Sequence, residues 1–237
     1  MKKLIVTIIA CFVIVVSLLY GTWELSNARS FQLFGDLVDK VETDQKVVAL
    51  TFDDGPTEKT NEILRILDKK DVLVTFFLNG DSIEQYPDET KAIIDAGHEI
   101  GNHTYSHQRM VFKSYSTVKA EVDRTEELIE AAGYEEKTHF RPPYGKKLLL
   151  LPYYLNKKDM KTIMWNIEPD SYAEIAGDAT KIVDHVDERI EPGSIILLHV
   201  MYNNEKRESL EAVEGIIDSL HEQGYTFKTV TELLEYE

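Results

Sequence analysis

Residues 46–56, KVVALTFDDGP, decide the fold, because here an apolar run ends on two adjacent carboxylates. A run without polar alternation is typical of a strand buried on both faces of a parallel sheet. Its carboxyl end carries Asp53 and Asp54, and α/β proteins place their chemistry at this end of their strands. Asp, Gly and Pro also favour turns, so the pair alone fits a plain turn equally well.

Strand and helix patterns alternate from residue 46 to the C-terminus. Strands are predicted at 46–52, 73–78, 98–102, 138–141, 161–165, 194–199 and 225–229. Helices are predicted between them at 58–70, 82–96, 117–132, 147–157, 175–190 and 205–223. Strict alternation indicates an α/β protein with a parallel sheet. About seven parallel strands favour a deformed (β/α) barrel, which we expect to form one domain at 46–237.

The N-terminus carries an uncharged apolar run, residues 4–20, directly after two lysines. Lysines before such a run predict a cytoplasmic N-terminus and an exported remainder. The run is near the lower limit for spanning a bilayer, roughly 17 residues. We expect residues 1–23 to anchor the protein in the cell membrane, followed by a linker at 24–45 and an extracytoplasmic domain. The alternative is a signal peptide cleaved near Ser26-Asn27-Ala28, which would give a secreted protein.

The net charge of the chain argues against some classes of binding partner. A net charge of −16 argues against nucleic acid and against docking on an anionic membrane surface. The only cysteine, Cys11, lies inside the apolar run, so the folded part has no disulfide. We expect a monomer.

Histidines stand at the ends of two predicted strands. His103 and His107 are four residues apart, a spacing that brings two imidazoles to one side of a helical turn and suits zinc. Such a pair alone is weak evidence, but an aspartate from an earlier strand end would supply the oxygen ligand of a catalytic zinc site. His199 ends another predicted strand, where it is either a core residue or a catalytic acid or base.

The segment FRPPYG, residues 140–145, follows the fourth predicted strand. Arg141 is in position to orient a carboxylate by a charge-assisted hydrogen bond. The two prolines stiffen the loop and remove donors, which leaves the amides of Tyr144 and Gly145 as candidates for an oxyanion site. A rigid surface turn with an exposed arginine is the alternative.

Together, TFDDGP, HTYSH, RPPYG and LLH resemble in order and spacing the motifs of the polysaccharide deacetylases, carbohydrate esterase family 4, also called the NodB-homology domain. The resemblance covers about residues 46–234. It implies a deformed (β/α) barrel that removes N- or O-acetyl groups from sugar polymers with a divalent metal. We expect one metal ion, with zinc first and cobalt, nickel or manganese as alternatives.

The resemblance also implies roles for single residues. It implies that Asp54, His103 and His107 are the metal ligands and that Asp53 is the general base. Arg141 would position that base, and the Tyr144 amide would donate to the oxyanion. His199 would be the general acid, and Leu197 would line the acetyl pocket. We also expect Trp165, at the end of the fifth predicted strand, to contact the substrate.

One motif departs from the family pattern. Many members carry D-x-x-D-W after the fifth strand, and the second aspartate pairs with the acid histidine. Here the segment 165–172 reads WNIEPDSY, which places Glu168, Ser171 and Tyr172 at those positions. Our hypothesis is that Asp170, one step away, supplies the missing negative charge for His199.

The sequence therefore predicts a metal-dependent deacetylase that acts on N-acetylglucosamine-type residues of a cell-wall or surface polysaccharide, with peptidoglycan expected first. An O-acetyl esterase acting on xylan-like glycans is an alternative with the same motifs. A catalytically weak wall-binding protein is a third interpretation, motivated by the altered segment 168–172.

Overall fold

The computed structural model describes residues 2–201 and 207–237. Their strands are β1 (Leu37–Val38), β2 (Val47–Asp53), β3 (Thr75–Leu78), β4 (Glu99–Asn102), β5 (Thr162–Ile163), β6 (Ile195–Leu198) and β7 (Thr226–Lys228). Their α-helices are α1 (Lys2–Asn27), α2 (Thr60–Lys70), α3 (Gly80–Gln85), α4 (Pro87–Asp95), α5 (Tyr115–Ala131), α6 (Leu150–Lys157), α7 (Ala179–Asp187), α8 (Arg207–Glu222) and α9 (Val230–Leu233). The first two residues of the predicted helix 205–223 lie outside the described residues.

The strands close into a barrel around β2. Strand β2 pairs in parallel with β3, β6 and β7, and β3 pairs in parallel with β4. Single-residue bridges complete the ring. Phe140 bridges both Asn102 of β4 and Thr162 of β5, and Ile167, which follows β5, bridges Ile196 of β6. The structure thus confirms the predicted deformed (β/α) barrel.

Strand β2 is buried along its whole length, and its two faces serve different layers. Val48, Leu50 and Phe52 pack into the layer between the sheet and the surrounding helices. Val47 and Ala49 pack inside the barrel. Because alternate residues point to opposite faces, Asp53 continues the inner set at the carboxyl end of the strand. The alternation therefore places a carboxylate at the mouth of the barrel.

The predicted linker at 24–45 is wrong for its second half. Leu37 and Val38 form β1, which pairs in parallel with β5. Further along, the Val41 amide donates to the Gly193 carbonyl at 2.9 Å. Gly193 has a φ of 79°, and a Cβ there would lie 1.8 Å from the Val41 carbonyl oxygen. Only a glycine admits this approach. A two-residue strand is too short to give a periodic signal in the sequence.

Other element boundaries also differ from the prediction. The helix predicted at 82–96 is divided into α3 and α4, because Pro87 has no amide hydrogen and begins a new helix. The strand predicted at 138–141 is reduced to the bridge at Phe140. The strand predicted at 161–165 is reduced to the two residues of β5.

The apolar N-terminal segment forms one continuous helix, α1, which ends at Asn27. Its most apolar 18-residue window has a mean hydropathy of 2.8 and is unburied. By length and composition, α1 is able to cross a bilayer. Whether it is an anchor or a signal segment stays a prediction.

His98 gives the fold a dependence on pH. Burial lowers the pKa of His98 to about 4, and its neutral ring accepts a hydrogen bond from the Val74 amide at 3.3 Å. The unfolded chain binds this proton near pH 6.5, so acid favours unfolding through His98. Its stabilising contribution is complete above about pH 6.5 and falls by about 3 kcal/mol as the pH drops to 4.

The variant His98→Asn keeps an acceptor for Val74 but does not titrate. We expect its free energy of unfolding, measured with urea in detergent, to fall less between pH 7 and pH 4 than that of the parent, by about 3 kcal/mol. The exposed His221 provides the control, since His221→Asn should follow the parent. Equal pH dependence of all three proteins would contradict the assignment.

Candidate active site

Three side chains converge at the carboxyl ends of β2 and β4. The Asp54 Oδ1 atom lies 3.2 Å from Nε2 of His107 and 3.7 Å from Nε2 of His103. One ligand atom from each residue falls within 4.8 Å of the others. Two imidazole nitrogens and one carboxylate oxygen form a donor set that suits a catalytic zinc ion and leaves a coordination position open.

The backbone brings these side chains together by turns. Asp54 has a φ of 62° and His107 has a φ of 53°. The segment between the two histidines is not helical, so the predicted helical turn is wrong, although the two rings do meet at a centroid distance of 5.0 Å. Side chains hold this turn instead. The Thr104 amide donates to Asn102 Oδ1 at 2.9 Å, and the His107 amide donates to Thr104 Oγ1 at 3.1 Å.

His103 is oriented for metal binding by the Arg141 carbonyl. Its Nδ1 atom lies 2.7 Å from that oxygen. A carbonyl only accepts, so Nδ1 carries the hydrogen and Nε2 presents its lone pair to Asp54. Burial lowers the pKa of His103 to about 3, so the ring is neutral over the physiological range. The residues present therefore fit a divalent cation.

Asp53 and Arg141 form a buried ion pair beside this cluster. Nη1 of Arg141 donates to Asp53 Oδ1 at 2.7 Å. The other carboxylate oxygen, Oδ2, lies 3.6 Å from Nε2 of His103 and thus faces the metal site. The Arg141 guanidinium is fully buried and also donates to Thr51 Oγ1 and to the carbonyls of Ile163 and Met164. The alternative of an exposed surface arginine is wrong.

The loop after Arg141 turns at Tyr144, which has a φ of 58°. The Gly145 amide donates to the Pro142 carbonyl at 2.9 Å. Of the two predicted oxyanion donors, the Tyr144 amide therefore remains. The Tyr144 ring is half-exposed and packs against His107, with the ring centroids 4.7 Å apart.

Asp170 lies against His199. The carboxylate oxygen Oδ1 of Asp170 is 3.0 Å from Nδ1 of His199, and its Oδ2 accepts from the His199 amide at 2.7 Å. Ser209, on α8, donates to the same Oδ2 at 2.9 Å. Asp170 is fully buried, so its carboxylate is held in one orientation. Nδ1 of His199 is therefore the ring nitrogen that faces Asp170.

Glu168 of the altered segment binds Trp165 instead of His199. Glu168 accepts from the Trp165 Nε1–H at 2.7 Å and from the Ser171 hydroxyl at 2.7 Å. Trp165 is itself nearly buried, and Gly145 packs on its ring. Leu197 is fully buried inside the barrel in the same apolar cluster. The structure therefore brings Trp165 and Leu197 under the site rather than onto its open surface.

A cavity of about 280 Å³ opens beside the proposed ligands. It is lined by Asp54, Gly55, Thr57, Asn79, Asp81, Ser82, His107 and Met201. A larger cavity of about 570 Å³ lies at the opposite end of the barrel, around Glu99 and His139. The smaller cavity is the candidate substrate site, because two of the three proposed metal ligands, Asp54 and His107, line it.

Sequence reasoning missed the residues that hold the catalytic groups. Thr51 accepts from Arg141 and donates to the Ile196 carbonyl at 2.7 Å. Ser209 lies 39 positions from its partner Asp170. Thr51 carried one usable signal, since it is the polar residue two positions before Asp53 on the same face of β2. Ser209 carried none.

The comparisons with known proteins agree with this geometry. A family model described as polysaccharide deacetylase matches residues 40–163. A peptidoglycan-N-acetylglucosamine deacetylase of Bacillus cereus is 34% identical over 190 residues, which cover 79% of this chain and 68% of that protein. The chain belongs to the polysaccharide deacetylase family, carbohydrate esterase family 4.

Further relatives differ in their named substrates. The peptidoglycan-N-acetylmuramic acid deacetylase PdaC of Bacillus subtilis is 33% identical over 198 residues. That match covers 83% of this chain but only 40% of PdaC. The crystal structure of the peptidoglycan N-acetylglucosamine deacetylase Bc1960 matches with a TM-score of 0.78 at 31% identity, covering 84% of this chain and 92% of that chain.

A related structure is described as a pseudoenzyme of the same family. It comes from Bacillus anthracis and matches with a TM-score of 0.75 at 32% identity, covering 83% of this chain and 68% of that chain. A mutant of that protein is described as having restored enzymatic activity. Family membership therefore does not by itself establish activity, and the residues of the site carry that inference.

Proposed function

We propose that the protein is a metal-dependent hydrolase that removes N-acetyl groups from N-acetylglucosamine-type residues of a cell-wall or surface polysaccharide. The observation that carries this proposal is the Asp54, His103 and His107 cluster. It is flanked by Asp53 on one side and belongs to the same barrel mouth as His199. Peptidoglycan is the expected substrate, because it is the substrate named for the relatives PdaC and the Bacillus cereus deacetylase.

Asp54, His103 and His107 would hold the metal. When bound, a zinc ion supplies Lewis-acid polarisation of the acetyl carbonyl and lowers the pKa of bound water. Asp53 would accept the proton of the attacking water through Oδ2, since Arg141 holds its Oδ1. The Tyr144 amide would donate to the developing oxyanion.

His199 would donate a proton to the departing sugar amine. Asp170 accepts the Nδ1 hydrogen of the ring, so the proton for transfer sits on Nε2. The negative carboxylate also favours the protonated ring, which a general acid requires near neutral pH. Asp170 thus replaces the aspartate that the family pattern places one position later.

The variant Asp170→Asn tests this pairing. We expect the high-pH limb of the kcat profile to move to lower pH by about one unit or more, because the amide cannot stabilise the protonated ring. Glu168→Gln is the matched control, since Glu168 binds Trp165 instead. An unchanged profile in Asp170→Asn, or an equal shift in the control, would remove Asp170 from the mechanism.

The anchor prediction completes the proposal. With α1 in the cell membrane and the barrel outside the cytoplasm, the enzyme would act where peptidoglycan is found. The two lysines at the start of α1 and its apolar length support this orientation. Cleavage of the segment would give a secreted form of the same enzyme.

The decisive experiment measures acetate release by the full chain in detergent. The panel contains N-acetylglucosamine oligomers, acetylated xylan and two peptidoglycan samples. In one sample only the glucosamine is N-acetylated, and in the other only the muramic acid is. We expect release from the N-acetylated glycans, loss of release with a chelator, and recovery with zinc. Release from acetylated xylan alone would favour the esterase alternative. Zinc binding without any release would favour a wall-binding protein.

A further inference from the structure

The chain that follows α1 is fastened to the mouth of the barrel. The Lys147 amide donates to the Ser26 carbonyl at 3.4 Å, and the Lys147 ammonium binds the Ala28 carbonyl. The Lys146 ammonium binds the Asn27 side chain. Both lysines directly follow the loop that carries Tyr144. The end of α1 is therefore held beside the candidate active site.

Arg29 continues this attachment across the barrel mouth. Its guanidinium lies 4.4 Å from the centre of the Trp165 ring and pairs with Glu168 at 3.0 Å. Trp165 in turn lies against Arg141, which holds the proposed base. Residues 26–29 are thus part of the folded domain rather than a loose tether.

Exposed aromatic and apolar side chains surround this attachment. Phe112 is 81% exposed with a φ of 57°, and in the sequence it stands between Arg109, which stacks on Tyr144, and Tyr115. Tyr115 contacts Tyr153, and Tyr153 contacts Phe34 of the segment after α1. We name this surface the anchor-side rim, and its exposed members are Phe31, Phe34, Phe112, Tyr115, Tyr144, Leu149 and Tyr153.

Basic residues are concentrated on the same rim, although the chain has 42 acidic and only 26 basic residues. The pKa of Lys146 is lowered by burial and then by the charges of Arg109 and Arg29. These three cations are therefore neighbours. Lys113 lies four positions beyond Arg109 on the same loop. The acidic charge of the whole chain argues against docking on an anionic membrane, but Arg29, Arg109 and Lys146 form a local basic cluster on this rim.

We propose that the anchor-side rim rests on the phospholipid surface from which α1 emerges, so that the catalytic cleft is held at the lipid–water interface. Aromatic side chains are enriched at membrane interfaces, and clustered lysines and arginines are attracted to anionic lipid headgroups. The rigid attachment of residues 26–29 leaves little chain between the bilayer and the rim. The enzyme then acts on glycan that lies next to the membrane.

Lipid-dependent quenching tests the proposal in the full chain. The variant Cys11→Ser removes the native cysteine, and Phe112→Cys then takes a fluorophore on the rim. The matched control is Glu136→Cys, an exposed position at the opposite end of the barrel. Both proteins are reconstituted into vesicles of phosphatidylcholine and phosphatidylglycerol that contain a headgroup-proximal spin-labelled lipid.

We expect quenching to be several-fold greater at position 112 than at position 136. It should decrease when phosphatidylglycerol is omitted or salt is added, because the headgroup attraction is electrostatic. Equal quenching at both positions would overturn the proposal. So would fluorescence at position 112 that changes with protein density but not with the spin-labelled lipid, since the rim would then contact a second copy. The proposal rests on α1 remaining in the membrane, and its readout is independent of acetate release.

Discussion

Asp53→Asn is expected to lower kcat for acetate release by about 10²- to 10⁴-fold, which is the usual contribution of a general base. The amide still accepts a hydrogen bond from Arg141, so the geometry around the pair should persist. It cannot take a proton from water. The zinc content of the variant should equal that of the parent, because Asp53 is not among the proposed ligands.

Asp81→Asn is the control for this prediction. Asp81 lines the same cavity but is exposed and is not a member of the proposed metal cluster. We expect kcat within a few-fold of the parent. A large loss in Asp81→Asn together with full activity in Asp53→Asn would transfer the role of base to Asp81.

Arg141→Met is expected to destabilise the folded barrel by about 3–5 kcal/mol, because it leaves the Asp53 carboxylate buried without its partner. Arg141 also donates hydrogen bonds to the Thr51 hydroxyl and to two backbone carbonyls of the β5 region. Urea unfolding of the full chain in detergent measures the loss. The exposed Arg109 gives the control, since Arg109→Met should change stability by less than about 0.5 kcal/mol.

The double variant Asp53→Asn with Arg141→Met separates the charge effect from packing. If the cost arises from an uncompensated buried carboxylate, the double variant should be more stable than Arg141→Met alone. Equal stability of the single and double variants would show that lost packing and hydrogen bonds, rather than the unpaired charge, dominate.

The barrel was predictable because most of its strands carry strong local signals. Strand β2 is a continuous apolar run, and Gly193 and Pro56 mark the ends of segments. Strand β1 was not predictable, since Leu37 and Val38 are two apolar residues in a polar stretch and are ordered only by pairing with β5. The break at Pro87 was visible in the sequence but outweighed by the apolar periodicity on both sides.

The candidate site was predictable as a set of residue types but not as a network. The motifs located the proposed ligands and the acid histidine, yet the reason given for the histidine pair, a helical turn, was wrong. The adjacency of Asp170 to His199 followed from charge and position in the sequence. The contacts of Ser209 and Arg29 depend on tertiary structure alone, because their partners lie 39 and 139 positions away.

The contacts of residues 26–29 bear on how the protein matures. Ser26-Asn27-Ala28 is the predicted cleavage site, and two of its carbonyls are held by Lys147 in the folded domain. Proteases cut exposed, unstructured chain, so folding of the barrel shields this site. Export-linked cleavage would therefore compete with folding of the barrel for these three residues. We expect conditions that slow folding to raise the secreted fraction. Fast folding of the barrel should protect the anchor from cleavage.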